Sequence, residues 1–497
     1  MKNRFFKITG LSSLSICLLL LTGGLTGCGE ELLDKFPNSA ISEASFYKTE
    51  AHAIGAVNAV YAQLHGAYDP WVKMGLDIWS DDCEKGGGGP ADNAQYQQFH
   101  EHNILLTNGE IGRHWGQFYT GIFRANKAIE NIPDIDTPIK DRLIAEAKFL
   151  RALYYYNLNK KFNGVPLVTS TATEDYTKIL RSTPREIWDF IVDDLLEAVA
   201  TLPDSYPNNA DLGRATKGSA RGLLGRVYLF MQEWQKAADV YSDIIRSQNY
   251  RLMDNYADNF LSAEGDNLPE SLFEVQFAAG TGSDAQSFRW HGWVRPRDVN
   301  NIISWGGNGF CLPTQSLVDA FEPGDVRRKA TVMVEGDEVF GVIYGSGEHD
   351  YAVGWSYTGF NVRKYIWGPE VIHQEADGNF KIIRYSDVLL GYAEAVYRGA
   401  TGNAGISGLE ALNMVRRRAE LGDIPALTFE AIVQERRVEF AFECIRFFDV
   451  VRWGIAKDVF APTFRENHSE YLPIPLGEIL INPGLRQNPG YEGYVPD

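Results

Sequence analysis

Apolar residues recur along most of this chain at the three-and-four spacing of a helix, not the strict alternation of a strand. Ile187, Ile191, Leu195, Val199 and Leu202 form one such stripe. Thr183-Pro184-Arg185-Glu186 stands just before it, with threonine at the N-cap, proline at N1 and glutamate at N3, the signature of a capping box. Leu143, Ala147, Leu150, Tyr154 and Leu158 repeat the pattern one segment earlier, and Phe162-Asn163-Gly164 with Pro166 ends it.

Between Thr216 and Arg251 the pattern doubles. Gly218, Ala220, Gly222 and Gly225 give a first helix a small-residue face, while Leu224, Val227, Tyr228 and Met231 line another. Glu233 to Ala238, then Tyr241 and Ile244, predict a second helix, so the pair resembles a tetratricopeptide hairpin. Tyr385, Leu389, Tyr392 and Val396, followed by Leu409, Leu412 and Ala419, predict another pair. Such hairpins bury their faces only by stacking, so a mainly α, tetratricopeptide-like scaffold is expected. Two regions break the pattern. Residues 77–110 hold Asp81-Asp82, the Gly86 to Gly89 run and Pro90, and are expected to be a long loop. Residues 262–383 are rich in Gly, Trp and Tyr, with strand-like pieces such as 272–277, and are expected to carry a ligand region on loops. The expected organisation is a signal over 1–27, an N-terminal helical part over 28–261 and a C-terminal part over 262–497, packed as one body.

The start of the chain has its own logic. Lys2, Arg4 and Lys7 precede a short apolar core from Leu11 to Leu21, too short to span a bilayer, so a secretion signal is predicted. Leu25-Thr26-Gly27-Cys28 resembles a bacterial lipobox, which implies cleavage before Cys28 and acylation of its thiol, palmitate included. Gly29-Glu30-Glu31 then resembles the surface-export signal of Bacteroidetes lipoproteins. No later segment reaches a membrane-spanning length of apolar residues, so a soluble body anchored to the outer membrane and facing outward is expected. Cys83, Cys311 and Cys444 remain after Cys17 and Cys28 are accounted for; they allow at most one disulfide and are taken as isolated structural cysteines.

Composition narrows the partners. The 497 residues are 44% hydrophobic and 12% aromatic, enough for a large core. A net charge of -18, from 47 Lys and Arg against 65 Asp and Glu, opposes nucleic acid. Arg416-Arg417-Arg418 is better explained by a solvated helix face or by local ion pairs. No GxSxG elbow, HExxH, P-loop or EF-hand occurs, so neither an enzyme nor a cofactor is implied. His100-Glu101-His102 lacks a third ligand for a metal, and Glu435, Arg436, Glu439, Arg446, Asp449 and Arg452 are expected to lock helices by ion pairs.

Aromatic density is the positive signal. Trp290, Trp293 and Trp305 lie within sixteen positions, interleaved with Arg289, His291, Arg295 and Arg297. Trp355 and Tyr357 occupy a second loop, and Trp79 precedes Asp81 and Asp82. Indole faces stack on the C–H faces of sugars while polar groups pair with hydroxyls; alternatively, such tryptophans pin loops to the scaffold. The arginines suit an anionic glycan, or else stack on neutral sugar or pair with Asp298.

Longer motifs now join these pieces. Trp115-x3-Tyr119-x2-Ile122-x3-Asn126, Glu146-Ala147-Lys148-Phe149-Leu150-Arg151-Ala152 and Gly164-Val165-Pro166-Leu167-Val168 come early. Glu435-Arg436-Arg437-Val438-Glu439-Phe440, Arg446-Phe447-Phe448-Asp449-Val450-Val451-Arg452-Trp453-Gly454 and the closing Asn482-Pro483 to Tyr491 follow. Together they resemble the SusD/RagB family of Bacteroidetes nutrient-binding lipoproteins from Cys28 onward, with Cys444 where the family commonly has glycine. The resemblance implies a non-enzymatic surface protein that captures oligosaccharide or polysaccharide for a SusC-like TonB-dependent transporter. A peptide ligand with the same partner is the alternative, and a surface glycoside hydrolase the third reading. Ligand contacts are expected from Trp290, Trp293, Trp305, Trp79, Asp81, Asp82, Arg289 and Trp355.

Overall fold

A helix begins where its first amides find acceptors, and this chain supplies them. Thr49, Asn108, Thr183 and Thr216 each accept a backbone N–H from two or three residues on, and each opens a long helix. The computed structural model describes residues 46–172, 175–279, 287–297, 307–339, 342–343, 356–367 and 376–491. Its N-terminal helices are α1 Glu50–Ala67, α2 Pro70–Ile78, α3 Ala94–His100, α4 Gly109–Asn131, α5 Lys140–Phe162, α6 Pro184–Thr201, α7 Lys217–Phe230 and α8 Trp234–Ser247. Short helices α9 Trp290–Val294, α10 Gln315–Ala320 and α11 Arg327–Thr331 interrupt the irregular region. The chain closes with α12 Tyr385–Tyr397, α13 Gly408–Arg418, α14 Phe429–Phe440, α15 Arg446–Arg452, α16 Ala456–Val459 and α17 Leu476–Ile481.

The fold is mainly α. From α4 to α8 each helix packs on the next, α1 packs on α4, and α8 meets α12, which pairs with α13. Tyr241 of α8 makes the crossing between the halves possible. A Cβ on Gly225 of α7 would lie 2.4 Å from its ring, and one on Gly391 of α12 2.7 Å from it. Glycine at both positions lets a fully buried tyrosine fill the seam.

Strands are few and short. Among the described residues, β1 Cys83–Gly86 pairs with β3 Phe310–Pro313, and β2 Ser271–Val275 with β8 Phe380–Arg384. Two smaller ladders join β4 Val332–Met333 to β7 Asn361–Val362, and β5 Glu338–Val339 to β6 Val342–Ile343. All are antiparallel. The stretch 77–110 is therefore not one long loop, since it carries β1 and α3. β1 finds its partner far along the chain, and no local periodicity betrays such a pairing.

The acidic and basic residues of the C-terminal motifs form buried ion pairs. Arg384 donates to Glu270 at 2.6 Å, Glu439 at 2.8 Å and Glu443 at 2.8 Å, all side chains at most 3% exposed. Arg418 and Arg327 reach Glu439 from other sides. Burial lifts the Glu439 carboxyl, yet the three guanidiniums outweigh it and hold it below the ordinary range. Cys444 sits at φ 59°, the left-handed conformation where glycine is at ease, and its N–H donates to Asp77 at 2.9 Å. That conformation explains why glycine suits the position.

A second cluster carries a pH dependence. Asp387 is buried between Arg226 and Arg436. Burial pushes its carboxyl up, but the two guanidiniums prevail and hold it at about 2, against 3.8 ordinarily. A depressed folded-state pKa gives stability that is present above the ordinary value and lost as pH falls through the folded one. Wild type should therefore lose stability between pH 3.8 and about 2. Asp387→Asn should be weaker at neutral pH and change less across that window in urea titrations. Equal slopes for the two proteins would contradict the assignment.

Candidate functional site

β1 ends in a turn built on glycine. Gly86 and Gly87 hold φ of 73° and 74°, and a Cβ on Gly86 would lie 2.2 Å from the Gly309 carbonyl oxygen. Lys85 closes the turn, its Nζ donating to the carbonyls of Gly89 at 2.7 Å and Asp92 at 2.6 Å. The Asp92 carboxylate accepts the Gly88 N–H at 2.7 Å and Arg297 Nη1 at 3.2 Å. Burial raises this carboxyl, but the amide and the guanidinium together hold it below the usual range.

Around that turn lie groups that face water. Tyr357 is 67% exposed and accepts the Gly86 N–H at 3.4 Å. On β1, Glu84 pairs with His100 of α3 at 2.9 Å, both about one-third exposed; the imidazole lowers the Glu84 carboxyl. Trp293, half-buried, packs on Phe310 of β3 with ring centroids 5.8 Å apart. The surface thus offers an open aromatic ring beside the Asp92–Arg297 ion pair and the Glu84–His100 contact. A flat C–H face can rest on the ring, while hydroxyls exchange hydrogen bonds with guanidinium donors and carboxylate acceptors. Such a surface suits a polyhydroxylated chain.

The structure places the predicted ligand residues differently from one another. Trp290 is fully buried, with Lys73 Nζ 3.7 Å from its ring centroid. Trp79 is 1% exposed and stacks on Phe447 at 3.7 Å. Neither indole offers a face to a ligand, so for these two the loop-pinning alternative is the one that fits. Asp81 bonds Arg446 at 2.8 Å and Asp82 bonds Arg437 at 2.9 Å. These carboxylates tie the 77–110 segment to α14 and α15 and are not open to a sugar. Arg289 pairs with Asp69 and Arg297 with Asp92, while Arg295 is buried. Trp305, Trp355 and Cys28 lie outside the described residues, as does Asp298. His102 bonds the Trp79 carbonyl and Thr463, and burial lowers its pKa to about 4. No group of His, Cys, Asp and Glu able to hold a metal occurs among the described residues. Lys85 and Asp92 were missed in the sequence, although the glycine run beside them marked the turn.

Residues 269–470 match a profile described as the SusD family, and residues 42–229 one described as starch-binding associating with outer membrane. A solved structure named a laminarin binding SusD-like protein is 32% identical, with a TM-score of 0.80 over 90% of this chain and 100% of that one. Surface glycan-binding protein A from Bacteroides thetaiotaomicron, solved in complex with laminarihexaose, is 25% identical, with a TM-score of 0.76 over 88% of this chain and 99% of that one. The SusD-like protein P2 of Formosa agariphila is 25% identical over 512 residues, covering 96% of this chain and 99% of that protein.

Proposed function

We propose, from the premise that this chain belongs to the SusD/RagB family, that it is a cell-surface glycan-binding lipoprotein taking a neutral β-glucan of the laminarin type. The observation that carries the reading is the 32% identical, near full-length structural match to a laminarin-binding protein. The Tyr357 surface supports it chemically. An exposed ring beside hydrogen-bond donors and acceptors suits a chain of pyranose rings. Its relatives are named as binding proteins and not as enzymes, so the chain binds its glycan without cleaving it.

Attachment is through acyl chains on Cys28, and no described helix is long and apolar enough to cross a membrane. The partner is a SusC-like TonB-dependent transporter, to which the glycan is delivered. Affinity electrophoresis in gels containing laminarin, starch, mannan or a protein hydrolysate tests the ligand class. Retardation by laminarin without product release is the expected result; retardation by peptide alone would overturn it. Laminarin affinity should also be unchanged from low to physiological salt, because no ion pair forms with the ligand. Weakening with salt would restore the anionic-ligand reading.

A further inference from the structure

A cavity of about 50 Å³ lies between α2, α5 and α7 of the N-terminal part and β8, α14 and α15 of the C-terminal part. A single water needs about 10–15 Å³ of such space, so the cavity has room for an ion the size of chloride. Its lining includes Lys73, Lys160, Lys161, Arg226, Arg436 and Arg452, against the carboxylates of Glu443 and Asp449. Four of these cations are already paired. Lys73 bonds Asp77 at 2.9 Å, Arg226 bonds Asp387, and Arg436 and Arg452 share Asp449 at 2.7 and 2.8 Å. Glu443 is taken by Arg384 and Lys364.

Lys160 and Lys161, in the last turn of α5, form no ion pair among the described residues. The Lys160 ammonium lies 4.6 Å from the ring centroid of Tyr156 and 4.4 Å from that of Phe448. The Lys161 ammonium lies 4.2 Å from that of Phe118. Ring faces attract a cation but are not acceptors for its N–H groups as an anion is. Lys161 is fully buried, and its Nζ has no hydrogen-bond partner among the described residues. Tyr68, also on the lining, accepts the Asn157 amide at 3.0 Å and keeps its own O–H to donate. These donors call for a negative guest.

We infer that this cavity is a binding site for one monatomic anion of the chloride type, held by the ammonium groups of Lys160 and Lys161. Apolar walls from Phe118, Leu229, Phe230 and Ile382 favour a small, weakly hydrated ion over an oxyanion that needs donors on every side. The charges agree. Burial, then the Arg226 guanidinium, pushes the Lys160 ammonium down to about 7, and burial, then Lys160, pushes Lys161 well below its ordinary value. An anion between them offsets both causes and keeps both lysines charged at neutral pH. Bound there, it bridges the N-terminal helices to the C-terminal ones. The site stands apart from the glycan reading, since its lining shares no residue with the Tyr357 surface.

The full chain, purified and crystallised with bromide in place of chloride, is examined by anomalous diffraction at the bromine edge. A bromine peak within hydrogen-bond reach of Lys160 and Lys161 is the expected result. Chlorine signal there at long wavelength supports the site equally, as an ion retained from purification. Water alone in the cavity would overturn the inference. In solution, replacing gluconate by bromide at fixed ionic strength should raise the melting temperature of wild type by several degrees. Lys161→Met should lose that response, with Lys160→Met in its place should the first variant not fold. An equal response in wild type and variant would be a general salt effect and would count against the site, as would no response in either.

Discussion

Arg384→Met should destabilise the fold by about 3–5 kcal/mol, the cost of leaving buried carboxylates without their cation. Arg384 is 1% exposed and touches Glu270, Glu439 and Glu443, which come from two separate stretches of chain. Methionine fills similar volume, so the loss is electrostatic and not a cavity. Lys364 still reaches Glu443 at 2.9 Å, and Arg418 still reaches Glu270 at 3.1 Å, which keeps the effect within that range. Adding Glu443→Gln should recover part of the loss, because one stranded charge disappears. Urea unfolding of the three proteins checks this. A loss below about 1 kcal/mol for Arg384→Met would mean the network is solvated.

Trp290→Ala should cost about 3–5 kcal/mol of stability and leave laminarin affinity unchanged. The indole is wholly enclosed on α9, and its face covers the ammonium of Lys73, which also bonds Asp77 at 2.9 Å. Truncation opens a large cavity and strips the lysine of its aromatic partner. Thermal melts paired with titration, at a temperature where the variant is folded, separate the two roles. A variant that melts normally but no longer binds would return Trp290 to the ligand site.

That contrast marks how far the sequence could be read. Helix starts were legible because caps are local: Thr183 and Glu186 form their box within four residues. The stacking of α7 and α8 was legible because small and large residues alternate at helical spacing. Burial of Trp79 and Trp290 was not, since aromatic density in a non-helical stretch does not tell which ring turns inward. Asp81 and Asp82 misled for a related reason. Their arginine partners lie 365 and 355 positions away, beyond any window in which charge pattern is informative. Tyr357 was visible as a second-rank aromatic, but the turn that holds it requires β1 and β3 to pair, a non-local event.

The central claim is that the Tyr357 surface binds a neutral glucan. Calorimetric titration of laminarihexaose into wild type and Tyr357→Ala, with melting temperatures taken on the same samples, tests it most directly. The ring is exposed, so its removal should barely move the melting temperature. Affinity should fall about tenfold or more, as the loss of a buried stacking face demands. Unchanged laminarihexaose affinity in Tyr357→Ala would contradict the account.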